Sequence, residues 1–392
     1  MLAAICLTAG TPCANAQSSF SSGSDGSDGA YAPNLSGNFT PSQFTGSGVA
    51  NNVFNFTTVT IPKGVTITLT ANVDNQPVYW LASGNVDIEG TLNLAGANGA
   101  PVTLDVDVRL PAVAGSGGYG GGVGGNGSTS QNATAGSGPG GGAADLTGQG
   151  ACTWQGSFKG NQFLVPLVGG SGGGGQQTSG QFGSGGGSGG GAILIASSTQ
   201  IIVNGLISAN GGNNGSGSYY AGNGSGGAIR LVSNTITGTG TLTALGGNTS
   251  PYCSPNNNPG RVRLEAYTLS FSGSLNGTPE SQSNPLPLFI PTGPQPSIQV
   301  TSINGTSITE NPFSFPDLTI NTGSPIPLVI TAHQIPVGTV PTLYVFSEGQ
   351  DQQALPCTGG LQGTLTTSTC SMNITYPFGG SRGLVKATWT PQ

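Results

Sequence analysis

Between Gly191 and Gly277, apolar residues recur at every second position within short runs, and the runs themselves recur. One copy reads Ala192-Ile-Leu-Ile-Ala, then Ile201-Ile-Val-Asn-Gly205-Leu-Ile-Ser-Ala209. A second reads Ala228-Ile-Arg-Leu-Val, then Ile236-Thr-Gly-Thr-Gly240-Thr-Leu-Thr-Ala244. A third reads Arg261-Val-Arg-Leu-Glu, then Leu269-Ser-Phe-Ser-Gly273-Ser-Leu275. The glycines that open them, Gly191, Gly227 and Gly260, stand 36 and 33 residues apart. Period-two alternation predicts strands with one face buried and one in water. Repetition at this spacing predicts stacked units, none of which buries its apolar face alone. Aligned copies place Ile193/Ile229/Val262, Ile195/Leu231/Leu264, Ile201/Ile236/Leu269 and Ile207/Leu242/Leu275 in common columns, with a shared glycine at Gly205/Gly240/Gly273. Such columns predict coils of a parallel β-helix.

The same pattern reaches upstream. Val86, Ile88, Gly90 and Leu92 match Ile201, Val203, Gly205 and Ile207, and Val59–Ile61, Val65–Leu69 and Val102–Leu110 also read as strands. Trp80 falls on the outward parity, where it is either a carbohydrate-stacking aromatic or packed beneath residues 17–50. From 112 to 190 the alternation gives way to glycine tracts interrupted by one richer island, Ala151 to Val168. These tracts lack the Gly-x-x-x-x-Gly-Lys-Ser/Thr pattern of a phosphate cradle. They are expected as large excursions packed beside the coils in extended or polyproline-II-like layers, which glycine permits by close backbone approach. Residues 285–296 form a proline-rich linker. Beyond it seven short strands spaced by turn signals predict a small Ig-like β-sandwich over 297–392. The fold class expected is therefore all-β: a solenoidal parallel β-helix over 51–284 with Gly-rich excursions, followed by a small antiparallel sandwich.

Composition sharpens this. The chain of 392 residues holds 71 glycines and only 6 % charged residues, which without the periodic apolar pattern would suggest disorder. Its net charge of −6 with eight basic residues cannot form a nucleic-acid-binding patch. Residues 1–16 read as a signal peptide without its basic n-region, ending in an A-x-A site at Ala14-Asn15-Ala16. Residues 17–50 read as a solvated Ser/Gly-rich leader in which Asp25 and Asp28 are weak calcium candidates. No stretch is long and apolar enough to cross a membrane as a helix. With Cys6 and Cys13 removed, Cys152, Cys253, Cys357 and Cys370 remain, an even number that in an exported chain suggests disulfides. Of three connectivities, Cys357–Cys370 with Cys152–Cys253 is favoured. No histidine or Cys-x-x-Cys neighbours them to suggest a metal site.

Candidate chemistry is sparse. Asp87/Glu89 and Asp105/Asp107, the latter beside Arg109, are carboxylate pairs spaced i, i+2 and so on one face of a strand. Such pairs could serve a polysaccharide lyase or hydrolase; the favoured reading is a solvated face that keeps a sheet soluble and resists edge pairing. Arg230 and Arg263 are equivalent positions and so stack into a small basic spot with Glu265 near, a possible contact for a glycan along with Trp80. The single histidine, His333, falls in the predicted sandwich.

The coil reads "A-I-x-L-x-A…I-x-G-x-I-x-A-x-G-G", here as Ala192-Ile-Leu-Ile and Ala228-Ile-Arg-Leu with their following glycines. In this the chain, over about Val53 to Gly277, resembles Gly-rich exported bacterial proteins with a right-handed parallel β-helix. The resemblance implies a surface, matrix or adhesive role and brings no catalytic residues. The sequence thus leads to an exported, non-enzymatic structural or adhesive protein at the cell surface or in the extracellular matrix, without cofactor, and with polysaccharide or another surface polymer as partner. Self-association is a further possibility. The alternatives are a polysaccharide-active enzyme and a self-assembling filament subunit.

Overall fold

The computed structural model describes residues 19–46, 51–71, 76–104, 110–129, 132–147, 154–217, 221–248, 258–293, 295–308, 322–347, 353–375 and 381–386. Cys152, Cys253, Asp105, Asp107, Arg109 and the signal-like segment lie outside them. Among the described residues the regular structure is strand, with two short 3-10 turns and no α-helix.

The first strands are β1 (Gly29–Tyr31), β2 (Gly37–Asn38), β3 (Val53–Ile61), β4 (Thr66–Thr68), β5 (Val78–Ala82), β6 (Val86–Ile88) and β7 (Thr91–Asn93). After the Gly-rich stretch, which holds only β8 (Gly125–Asn126) and β9 (Gln177–Thr178), come β10 (Ala192–Val203), β11 (Leu206–Ser208), β12 (Ala228–Gly238), β13 (Thr241–Thr243), β14 (Arg261–Phe271), β15 (Ser274–Asn276) and β16 (Thr278–Gln282). They sort into two parallel sheets. The first runs β1-β3-β5-β10-β12-β14-β16, with β6 beside β3 and β10; the second runs β15-β13-β11-β7-β4-β2. The chain thus visits the sheets alternately.

Register follows the sequence columns. Ile193 pairs with Val78 and Ile229, Ile229 with Val262, Ile201 with Val86 and Ile236, and Ile207 with Leu92 and Leu242. These side chains fill one core between the two sheets. Because the side-chain period is two, any slip by one residue would turn the whole apolar set outward. The shared glycine marks the corner between sheets. A Cβ on Gly205, Gly240 or Gly273 would fall on the carbonyl oxygen of Gly90, Gly205 or Gly240, and those oxygens accept the amides of Leu206, Thr241 and Ser274. Only glycine lets the corners nest.

Trp80 does not face out. It pairs with Phe54 and Ile195, is 0 % exposed, and lies among Tyr31, Phe39 and Phe56 with ring centroids 5.2 to 5.8 Å away. The parity assigned from sequence was one residue off, and Tyr79 is the residue on the outer face. The segment read as a solvated leader supplies two of those rings and the strands β1 and β2, closing the near end of the core.

The glycine tracts are ordered by their backbones. Amides of Gly170, Gly173 and Gln176 donate to the carbonyls of Gly190, Gly187 and Ser184; those of Gly172 and Gly175 donate to Ser137 and Thr134. Tyr119, Gly122 and Gly125 donate in turn to Gly170, Gly173 and Gln176. Partners alternate with a period of three, the symmetry of polyproline-II strands, which have no internal hydrogen bonds. Built Cβ atoms on Gly173 and Gly186 would fall on neighbouring backbone. The island within the tracts seats Leu164 and Leu167 on the outer face of the first sheet, against Leu194 and Tyr79.

Residues 285–290 are no free spacer: Leu288 and Ile290 pack on that same face. Beyond them come β17 (Ser297–Ile303), β18 (Thr306–Ser307), β19 (Ile326–His333), β20 (Thr342–Ser347), β21 (Gln353–Pro356), β22 (Gln362–Gly363), β23 (Ser368–Ile374) and β24 (Ser381–Lys386). They form two antiparallel sheets, β18-β17-β19-β23-β22 and β21-β20-β24. Cys357 and Cys370 are bridged across a Cα–Cα distance of 6.3 Å.

Candidate functional site

Outward residues of a strand normally meet water, but the outer face of the first sheet carries a buried charge cluster. β12 and β14 lie in register, setting Arg230 directly beside Arg263, the stacking the repeat alignment required. Two guanidiniums one strand apart repel. Glu265 answers both: its Oε1 accepts from Arg230 Nε at 2.8 Å and from Arg263 Nε at 2.7 Å. Its Oε2 accepts the Leu286 amide at 2.7 Å. Arg263 also donates to Gln282 Oε1 at 2.6 Å and to the Gln162 carbonyl at 3.2 Å, and its guanidinium lies 5.4 Å from the Phe163 ring centroid. Arg230 and Arg263 are 1 % and 3 % exposed. As contacts for a glycan, Arg230, Arg263 and Trp80 are therefore corrected: none offers surface to a ligand. The two arginines are covered because residues 158–167 and 286–290 roof the sheet, whereas Trp80 lies on the inner face, in the core.

Burial pushes the Tyr79 hydroxyl up to about 12, with the nearby Arg230 charge pulling the other way. Arg230 Nη2 and Arg261 Nε have no partner, while Arg261 Nη1 meets Glu280 at 2.6 Å. The cluster is a clamp holding the island and the linker to the sheet.

Farther along that sheet, Asp87 lies between Thr60 and Ile202 on the outer face. Burial, and then the neighbouring Glu89 charge, raise its carboxyl above the usual range, and its Oδ1 is buried without a partner. Glu89 is exposed. Here one acidic group acts on another close by.

The calcium candidates are engaged by backbone. Asp28 accepts from the amides of Gly46 and Asn55 at 2.9 and 2.7 Å. Asp25 accepts from the Ser27 amide at 2.9 Å; that amide and then the Ser27 hydroxyl hold its carboxyl below the ordinary value. Among the described residues no group of three His, Cys, Asp or Glu side chains comes together to hold a metal ion. His333 has Nδ1 2.8 Å from the Thr366 carbonyl, far in sequence from either acidic pair.

Two shallow cavities open among the described residues. One, of about 460 Å³, lies where residues 19–23 meet Tyr267 and the linker. The other, of about 440 Å³, opens at the β1–β2 end beside Tyr31, Leu35, Asn38, Gln43 and Phe44. Sequence reasoning missed this aromatic end because residues 17–50 carried no alternation long enough to mark strands. Comparison with known protein families, curated proteins and solved structures gives no match. Among the described residues no helix is long and apolar enough to cross a membrane, which together with the bridge is compatible with export.

Proposed function

We propose that the protein is an exported structural or adhesive component of a cell surface or extracellular matrix, without catalytic activity. In this reading residues 51–284 wind as a right-handed parallel β-helix carrying a Gly-rich layer on its flank, and the C-terminal antiparallel sheets form an Ig-like sandwich. The alternate visits of the chain to two parallel sheets support the first part. The roofed outer face of the first sheet carries the functional part. Arg230, Arg263 and Glu265 on it are tied to one another and to the chain's own linker, which commits this part of the surface to rigidity, and the outer face of the second sheet is left with mostly small polar side chains suited to extended contact.

A second reading, cleavage of polysaccharide, draws on Asp87. A carboxyl raised by burial beside an ionised neighbour is the arrangement that separates an acid from a base in glycoside cleavage. One experiment decides between them: incubate the chain from Gln17 onward with a panel of insoluble polysaccharides, and measure retained protein and new chain ends in the same samples. Retention without products is expected. New reducing or unsaturated ends that disappear in Asp87→Asn would overturn the adhesive reading, as would neither retention nor products.

A further inference from the structure

The outer face of the second sheet carries two rows of uncharged side chains, small and polar except for Leu206. Thr66, Thr91, Leu206, Thr241 and Ser274 stand in register on five successive strands. Two residues along, Asn38, Thr68, Asn93, Ser208, Thr243 and Asn276 make a second row on six. The residues between them, among them Ile67, Leu92, Ile207 and Leu242, are core, so both rows point outward. Parallel strands stand ~4.8 Å apart, so six of them extend the second row about 24 Å. Ser208 and Thr243 are nearly closed off, Thr243 donating to Asn210 Oδ1 at 2.7 Å. The first row is half-exposed from Thr66 to Thr241 and open at Ser274. No charged side chain stands on either row. The second row begins at Asn38, which also lines the cavity walled by the rings of Tyr31 and Phe44.

We propose that this face and cavity bind an uncharged, β-linked polysaccharide chain lying across the strands, one end ring seated in the cavity; the proposal rests on the surface-component reading above. Three observations select that ligand. Hydroxyls and amides can each give and accept hydrogen bonds, as sugar hydroxyls do. The absence of charge on the rows offers nothing to a polyanion or polycation, whose partners show complementary charge. An extended β-linked chain advances per ring by a length close to the spacing of strands, so successive rings meet equivalent side chains. The cavity adds an apolar ring wall with the amides of Asn38 and Gln43 at its edge, the mixture of apolar lining and few polar groups that fixes a ligand's orientation.

The test is retention of the full chain on insoluble neutral β-linked hexose and N-acetylhexosamine polymers, with a polyuronate gel beside them. Thr91→Lys with Thr241→Lys is expected to lower retention on the neutral polymers by about tenfold or more, while Thr58→Lys with Thr60→Lys on the exposed part of the first sheet changes it less than about twofold. If the lysine pair unfolds by circular dichroism, Thr91→Val with Thr241→Val removes the hydroxyls and keeps the β-branched shape, with the same expectation. Leu35→Ala with Gln43→Ala, both exposed at the cavity, is also expected to weaken retention. Wild-type retention that survives the row variants would overturn this proposal and leave the surface reading standing. Preference for the polyuronate would overturn it too. Retention on no polymer would remove both.

Discussion

Glu265 is the residue on which the outer face of the first sheet turns. Its two carboxylate oxygens hold two buried guanidiniums and one linker amide. Replacing one partner of a buried ion pair is more damaging than replacing the whole pair, because it strands a charge that water cannot reach. Glu265→Gln is expected to destabilise the chain by ~3–5 kcal/mol, read in chemical denaturation. Converting Arg230, Arg263 and Glu265 together to apolar residues of similar volume should cost much less. Equal losses in the two variants would mean that stranded charge is not the cause. The alignment of Arg230 with Arg263 was legible in the sequence, because a period-two strand in a repeat fixes which residues are neighbours. Their burial was not legible. It depends on where Phe163 and Leu286 fold back, and no local pattern encodes a contact 101 residues away such as Arg263 with Gln162.

At the scale of elements, the strands were readable and the glycine layer only in outline. Alternation determines what a strand does with its side chains; the columns headed by Ile193, Ile195, Ile201 and Ile207 all became true registers. A glycine tract has no side chains to alternate, so its order lies in backbone pairing that composition cannot reveal. Trp80 failed for a related reason: the run Tyr79-Trp-Leu is apolar at every position, so parity had nothing polar to mark the outer face. The strand read at 102–110 is represented by one antiparallel bridge, Thr103 with Phe182, before the described residues stop at Leu104. In the layer, a methyl group on Gly186 would collide with the carbonyl of Gly173, whereas Gly293 has open space. Gly186→Ala should cost ~1–3 kcal/mol, the range for overpacking a filled interior. Gly293→Ala should leave the denaturation midpoint unchanged. Equal behaviour would show that the layer is not close-packed.

At the scale of the molecule, the parallel and antiparallel parts are stabilised by different means. The parallel part ends on β16, whose exposed Pro279 removes a backbone donor from the last strand of the first sheet. Proline on an edge discourages pairing with another chain, which weighs against growth of a filament from that end. The antiparallel part has its own smaller core of Leu328, Ile330 and Leu343 around the bridge. Closing a loop of 13 residues is worth about 3 kcal/mol in the chain-entropy model. Reduction, or Cys357→Ala with Cys370→Ala, should speed amide exchange in β19 and β23 while β10 and β12 keep their protection. Loss of protection in β10 would mean that the two parts unfold as one.

The glycine layer also bears on temperature. Unfolding a hydrocarbon core exposes apolar surface and raises the heat capacity, whereas exposing peptide groups lowers it. A stretch held by backbone hydrogen bonds between glycines releases mostly peptide groups. Its presence therefore reduces the heat-capacity increment per residue below that of a chain stabilised by side-chain burial alone. A smaller increment flattens the curve of stability against temperature, so this molecule should lose less of its stability on cooling than its size would suggest.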